Sequence, residues 1–159
     1  MIDTPLTQHF TFTIERVYDA PRELVFNAFA NADEKAKWFA GTAGQWKPLI
    51  REMDFKRGGH ERARGEWSSG DISDFQATFH DIRPNERIVY YYDMYVNDRR
   101  ISASLATIEL EPDGDKTHLT FTEHVVYLDG YTTPEDREAG SAHLLDQLGT
   151  YLQTAKVTV

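Results

Sequence analysis

Between residues 49 and 128 the chain carries one persistent pattern, in which apolar and polar side chains alternate in short runs. The runs are separated at regular spacing by turn-forming segments such as Ser68–Asp71 and Pro112–Asp115. An alternation of period two predicts strands with one buried face, and this spacing favours antiparallel neighbours over βαβ units. Four runs supply most of the apolar surface: residues 75–82, 88–96, 101–110 and 119–127.

One long helical pattern follows this β-rich stretch. It runs from about Pro134 to Ala155, with Thr133 as a good N-cap and Pro134 suited to the first helical position. Its apolar face must pack on something, and the concave side of the sheet is the surface available. The sequence therefore predicts an α+β fold, in which a twisted antiparallel sheet wraps around the C-terminal helix.

A strand and two short helices are expected before the β-rich stretch. The strand covers residues 9–18, and Asp19 is a candidate N-cap for the helix that follows it. A second helix is expected over residues 32–39, with Asn31 or Asp33 near its start. The residues expected on the inner face of the strand are Phe10, Phe12, Ile14 and, as a further candidate, Val17.

The composition of the chain restricts where the protein can be located and which molecules it can bind. The chain has no cysteine, which excludes disulfides and cysteine nucleophiles, and its formal net charge of −9 disfavours binding to nucleic acid or anionic lipid. Residues 1–10 lack the pattern of a signal peptide, and no run approaches the ~20 apolar residues of a membrane span. We expect one cytoplasmic domain over residues 1–159 that contacts neither nucleic acid nor membrane.

Motifs for metal binding and covalent catalysis are missing from the sequence. The six histidines show no HExxH or His-x-His spacing, and no Gly-x-Ser-x-Gly elbow occurs. The Gly58-Gly59 pair by itself does not make a phosphate-binding loop. No metal and no cofactor are therefore expected.

Four sets of short motifs occur in a defined order along the chain. They are Asp19–Phe26 with Trp38-Phe39, Asp54 with Gly58-Gly59, His80–Tyr90, and Gly140 with Leu145, Leu148 and Leu152. Together they resemble the helix-grip proteins related to the activator of Hsp90 ATPase, within the START-like/polyketide-cyclase (SRPBCC) superfamily. The resemblance covers nearly the whole chain and implies a cavity between sheet and helix. It does not imply one activity, because the superfamily includes lipid binders, cyclases and hydrolases.

Two features differ from the pattern of that family. Many relatives carry Trp directly after the glycine of the last helix, where this chain has Ser141 after Gly140. If this position faces the cavity, the smaller side chain leaves extra space there. The separate N-terminal chaperone-binding domain of the eukaryotic Hsp90 activator has no counterpart in this sequence, which argues against a chaperone role.

The last long strand places a carboxylate on an apolar face. Leu119, Phe121 and Glu123 share that face, whereas His118 and His124 lie on the other one. An unpaired buried charge is costly, so Glu123 needs a partner or a ligand. It either pairs with an Arg or Tyr to hold the fold, or it anchors a ligand or moves a proton.

Two tyrosines share a face of the strand over residues 88–96. Tyr90 and Tyr92 would form flat apolar walls that end in hydroxyl groups, as suits an aromatic or amphipathic ligand. The alternative is that both are core residues whose hydroxyls reach the surface. Trp38 and Phe39 likewise belong either to the core or to the ligand site.

The sequence leaves open whether the side chains of two histidines face the cavity. The alternation over residues 75–79 is broken before Ile82, which predicts a bulge near His80-Asp81 and leaves the direction of His80 open. His143 flanks the apolar face of the last helix, where it could close a pocket.

These patterns favour a module that binds a small hydrophobic or aromatic molecule, with Glu123, Tyr90 and Tyr92 as polar anchors. One alternative is a cyclase- or hydrolase-type enzyme acting on a polyketide-like or aromatic substrate, with Glu123 or His143 moving a proton. Another is a chaperone-associated interaction domain, and the sequence also leaves a homodimer open. The candidate ligand-binding residues are Trp38, Phe39, Phe75, Phe79, Tyr90, Tyr92, Met94, Ser104, Phe121, Glu123, Ser141, His143, Leu144 and Gln147.

Overall fold

Seven strands and three helices make up the part of the chain that the computed structural model describes, residues 6–131 and 134–157. Thr133, the expected cap of the last helix, lies outside these residues. The strands are β1 (Thr7–Tyr18), β2 (Trp46–Met53), β3 (His60–Trp67), β4 (Ile72–Arg83), β5 (Arg87–Val96), β6 (Arg99–Asp113) and β7 (Lys116–Leu128). The helices are α1 (Arg22–Ala30), α2 (Ala32–Ala36) and α3 (Pro134–Val157).

The strands form one antiparallel sheet in the order β1-β7-β6-β5-β4-β3-β2. Consecutive strands are neighbours from β2 to β7, and the first strand joins the sheet beside the last one. Helix α3 packs on the inner face through Leu145, Leu148 and Leu152, which are almost fully buried. The predicted α+β helix-grip fold, with two short helices between the first two strands, is confirmed.

Strand β1 differs from the expectation at its last residues. Tyr18, rather than Val17, continues the inward row of Phe12 and Ile14, and Val17 is 57% exposed. The prediction for Val17 is wrong because the strand keeps its period of two to the end. The inward position lets the Tyr18 hydroxyl donate to the Leu145 carbonyl at 2.8 Å, which ties β1 to α3.

Helix α1 begins without the expected cap. Its N-cap residue is Pro21, in an extended conformation, and the Pro21 carbonyl accepts from the backbone N–H groups of Leu24 and Val25. The N-cap position is therefore Pro21, two residues after Asp19, because the helix begins at Arg22.

Helix α2 is shorter than predicted. It is capped by Asn31, whose side chain accepts from the backbone N–H of Glu34 at 3.1 Å, and it ends at Ala36 rather than at residue 39. The chain then turns, so that the Trp38 indole is buried and donates to the Ala28 carbonyl at 2.9 Å. After Ala36 the backbone N–H groups of Lys37 and Trp38 donate to carbonyls three residues back, at 3.1 and 3.2 Å, so the regular α-helix ends there.

The sheet register contains the predicted bulge. The pairing between β4 and β5 shifts between Phe79 and Asp81. The shift leaves His80 exposed, which settles its direction. No helix within residues 6–131 and 134–157 combines the length and apolar character needed to cross a bilayer.

Candidate functional site

A cavity of about 320 Å³ lies between the sheet and the N-terminal half of α3. Its floor comes from inward positions of strands β3 to β7, and the segment after α2 closes one side. Its volume is at the lower end of the range typical of small-molecule sites. The lining includes most of the predicted residues, namely Trp38, Phe39, Phe75, Tyr90, Tyr92, Met94, Phe121, Glu123, Ser141, His143 and Leu144.

Three predicted residues lie next to the cavity without lining it. Phe79 is buried in the main apolar cluster behind the wall. Ser104 donates its hydroxyl to Glu123 at 2.8 Å. Gln147 donates from its amide to the carbonyls of Trp38 and Ala40, at 2.8 and 3.0 Å. These two hydrogen bonds connect α3 to the segment after α2, and they occupy the amide N–H groups of Gln147.

The walls are made of aromatic rings in mutual contact. The ring centroids of Phe39 and Phe75 are 5.2 Å apart, and those of Phe75 and Tyr92 are 4.6 Å apart. Tyr90 lies beside Tyr92, at 6.0 Å between centroids. Tilted and edge-to-face pairs of this kind hold one another in place and present flat apolar faces to the cavity.

Glu123 is the centre of a buried polar cluster. It is 1% exposed, and its Oε2 accepts hydrogen bonds from the Tyr92 hydroxyl at 2.7 Å, from Ser104 at 2.8 Å and from Arg137 Nη1 at 3.1 Å. Arg137 also donates from Nη2 to Ser102 at 2.8 Å. This cluster, defined by Glu123, Arg137, Tyr92, Ser102 and Ser104, joins β5, β6 and β7 to the beginning of α3.

Burial and neighbouring charges determine the protonation of Tyr92 and Arg137. Burial raises the pKa of Tyr92, and the neighbouring Glu123 carboxylate raises it further, so the phenol stays a neutral donor. Burial alone would lower the pKa of Arg137, but Tyr92 and Glu123 raise it on balance. Arg137 therefore remains a cation, and the ion pair that it forms with Glu123 carries no net charge.

A second buried ion pair lies at the β3 side of the cavity. Lys35 Nζ donates to Glu61 Oε1 at 2.7 Å, and the two side chains are 8% and 5% exposed. The ammonium lies 4.5 Å from the centroid of the Phe39 ring, and Lys35 itself lines the cavity. The ring faces and the carboxylate compensate the ammonium for its lost hydration.

Sequence reasoning missed Lys35 and Arg137, although weak signals for both exist. Lys35 precedes Trp38 and Phe39 by three and four residues, the spacing of one helix face. Arg137 precedes Ser141 and Leu144 by four and seven residues, which is again the spacing of one helix face. These signals place the residues on a face without identifying their partners.

The rim of the cavity is built around two tryptophans. Trp46 lies against Gly65 and Gly41, where an added Cβ would come within 2.1 and 2.4 Å of its side chain. Trp67 donates from its indole to Ser73 at 3.0 Å, and both tryptophans line the cavity. The two glycines therefore make the space in which Trp46 packs.

His143 lies on the rim and is exposed, whereas Glu123 is fully buried. Within the described part of the chain, no hydrogen bond joins the two side chains. The arrangement therefore gives no support to a proton relay between His143 and Glu123.

Two other histidines point away from the cavity. His118 Nε2 lies 3.1 Å from Glu15, and His124 Nδ1 lies 3.1 Å from the Thr11 hydroxyl, both on the outer face of the sheet. Among the described residues, no group of three or more His, Cys, Asp or Glu side chains is arranged to hold a metal ion.

Solved structures with the same fold extend over nearly the whole chain. An uncharacterized protein from Rhizobium leguminosarum is 39% identical, with a TM-score of 0.88 over 93% of this chain and 97% of that one. A protein from Rhizobium loti is 38% identical, with a TM-score of 0.84 over 91% and 98% of the two chains. The AHSA1-like protein from Aeromonas hydrophila is 20% identical, with a TM-score of 0.69 over 92% and 94%, and supports the fold alone.

The sequence of this chain matches the pattern of one protein family over most of its length. None of the curated proteins matches this chain. The pattern of the family described as "Activator of Hsp90 ATPase homolog 1-like protein" matches residues 19–153, which include both short helices, six of the strands completely and most of α3. The chain belongs to the activator of Hsp90 ATPase homolog 1-like family.

Proposed function

We propose that this protein binds a small, largely apolar aromatic molecule in the cavity between the sheet and α3. One observation carries the proposal: aromatic walls line about 320 Å³ of space beside a buried polar cluster. Unfilled apolar space lowers stability in proportion to its volume. A fold that bound no ligand would therefore be more stable if side chains filled this space. Aromatic walls around a few fixed polar groups are the usual composition of a ligand site.

The cluster around Glu123 supports one orientation of the ligand. Its hydrogen bonds with described residues fall on Oε2. Glu123 lines the cavity, and its Oε1 makes no hydrogen bond with the described residues. Oε1 is an acceptor, and it therefore suits a ligand hydroxyl or N–H group.

A binding measurement with a cavity-filling variant tests this function. We expect 2-naphthol to raise the melting temperature, because a ligand at 100 times its Kd adds about 2.7 kcal/mol of stability. Ser141→Trp puts an indole at a half-buried position of the lining and should abolish this shift. Native mass spectrometry should detect one bound ligand per chain for the wild type and none for the variant.

Ala139→Trp is the matched control for this test. Ala139 is a small residue, exposed on the same helix, and it does not line the cavity, so this variant should keep the full thermal shift. If Ser141→Trp binds as well as the wild type, or if no aromatic ligand raises the melting temperature, the proposed function is wrong.

A further inference from the structure

Lys35 contributes an ammonium group with unused hydrogen-bond donors to the cavity wall. An ammonium carries three N–H groups, and one hydrogen bond, to Glu61, is formed with described residues. The ring centroids of Phe39 and Phe79 lie 4.5 and 6.0 Å from Nζ. Aromatic faces attract the cation but do not replace a full acceptor. Lys35 is 8% exposed and lines the cavity, and two of its three donors have no acceptor among the described residues.

Tyr90 adds a second free donor at the same side. It lines the cavity, and its hydroxyl makes no hydrogen bond with the described residues. Its ring packs against Phe79 at 6.5 Å between centroids, and the Lys35 ammonium faces that same ring. Burial, then the charges of nearby groups that include Glu123, raise the pKa of Tyr90, so its phenol stays neutral and can donate.

The charge balance of the interior restricts what these donors can accept. Lys35 is already matched by Glu61, and Arg137 is matched by Glu123. A ligand carboxylate would bring an uncompensated negative charge into a site where two ion pairs are already neutral, which is costly. A carbonyl oxygen can accept two hydrogen bonds without adding charge.

We infer that the ligand carries an uncharged carbonyl-type oxygen, of a ketone, ester or amide, that Lys35 and Tyr90 bind at the β3–β5 side of the cavity. This inference rests on the proposed function and names the class of molecule that the same site selects. Together with the acceptor at Glu123, it defines an aromatic molecule with a hydroxyl or N–H group towards β7 and a carbonyl group towards α2.

Three probes of nearly equal size separate these chemistries. They are 2-acetylnaphthalene, 2-isopropenylnaphthalene, in which C=CH₂ replaces the carbonyl, and 2-naphthoate. We expect the ketone to bind about 3- to 10-fold more tightly than the alkene, the gain typical of a net hydrogen bond. The carboxylate should bind more weakly than the ketone. Isothermal titration calorimetry at pH 7 gives the three dissociation constants.

Tyr90→Phe removes the hydroxyl alone and should reduce the preference for the ketone over the alkene. Binding of the alkene by this variant reports that its cavity is intact. Tyr91→Phe is the matched control, because Tyr91 is 50% exposed on the opposite face of the same strand and should keep the full preference. Lys35→Met combined with Glu61→Gln removes both charges of the pair and should also reduce the preference.

The outcomes separate the two proposals. Equal binding of ketone and alkene by the wild type, a full preference in Tyr90→Phe, or tighter binding of the carboxylate overturns the inference and leaves aromatic binding standing. Failure of all three probes to bind overturns the proposed function as well.

Discussion

At the scale of single residues, Glu123 and Arg137 connect the two halves of the fold. Arg137 Nη1 lies 3.1 Å from Glu123 Oε2. The Arg137 side chain is 11% exposed and the Glu123 side chain is 1% exposed. A buried ion pair of this kind adds little net stability compared with apolar side chains, but removal of one partner leaves the other charge without compensation. The pair therefore joins the beginning of α3 to strand β7.

The first prediction is a double-mutant cycle on this pair. Arg137→Met and Glu123→Leu should each lower the free energy of unfolding by about 3–5 kcal/mol, because each leaves a buried charge unpaired. The double variant should lose much less than the sum of the two. Urea denaturation, with the midpoint and slope fitted for each protein, gives the four values. Additive losses would contradict a direct coupling between the two side chains.

The same two residues show how far single-residue reasoning reaches. The strand alternation identifies Glu123 as inward-facing because it is in line with Leu119 and Phe121, and the structure buries it there. The sequence places Arg137 on one helix face with Ser141 and Leu144 but does not identify it as buried, because a charged residue is ordinarily solvated. Its burial depends on how α3 docks, which no local pattern specifies.

At the scale of elements, a glycine in strand β3 and a glycine in helix α3 have opposite surroundings. Gly65 lies in β3, where an added Cβ would come within 2.1 Å of the Trp46 ring. Gly140 lies inside α3, where an added Cβ would have no neighbour within 4 Å. The first glycine is required by packing, whereas the second one only weakens its helix.

The second prediction compares alanine at these two glycines. Gly65→Ala should lower the free energy of unfolding by about 1–3 kcal/mol, because the Trp46 ring must move. Tryptophan fluorescence should change in the folded state of this variant. Gly140→Ala should instead raise the free energy of unfolding by about 0.5–1 kcal/mol, because alanine loses less backbone entropy in a helix. Equal effects of the two substitutions would contradict this account of Trp46.

At the scale of the whole molecule, the dependence of stability on pH should follow the buried carboxylates. The clearest case is Asp74, which is 2% exposed on the outer face of the sheet. It accepts from Arg62 at 2.8 Å, from Arg64 at 3.0 Å and from Gln76 at 3.1 Å. Burial opposes ionisation of the Asp74 carboxyl, but these hydrogen bonds outweigh that effect and lower its pKa.

The third prediction concerns Asp74→Asn as a function of pH. Since the folded-state pKa lies below the unfolded value of about 3.9, the contribution of Asp74 is complete above that value and is lost as the pH falls through the folded-state pKa. At pH 6 the variant should be less stable by about 1.5–3 kcal/mol, the usual value of hydrogen bonds to a charged group. In denaturant titrations the difference should shrink as the pH falls below the unfolded value of about 3.9. A difference that stays constant with pH would show that ionisation of Asp74 contributes nothing.

The sequence alone determined the strand faces, the bulge near His80 and the class of fold, because these follow from a period of two and from turn residues that act over a few positions. It also placed Tyr90, Tyr92 and Glu123 on the inner face. The tertiary structure alone decided the ion pairs. The partners of Lys35 and Arg137 lie 26 and 14 residues away along the chain, so those pairs depend on sheet register and helix docking. Each element is encoded locally, but the balance of charge in the cavity exists only after the elements have packed together.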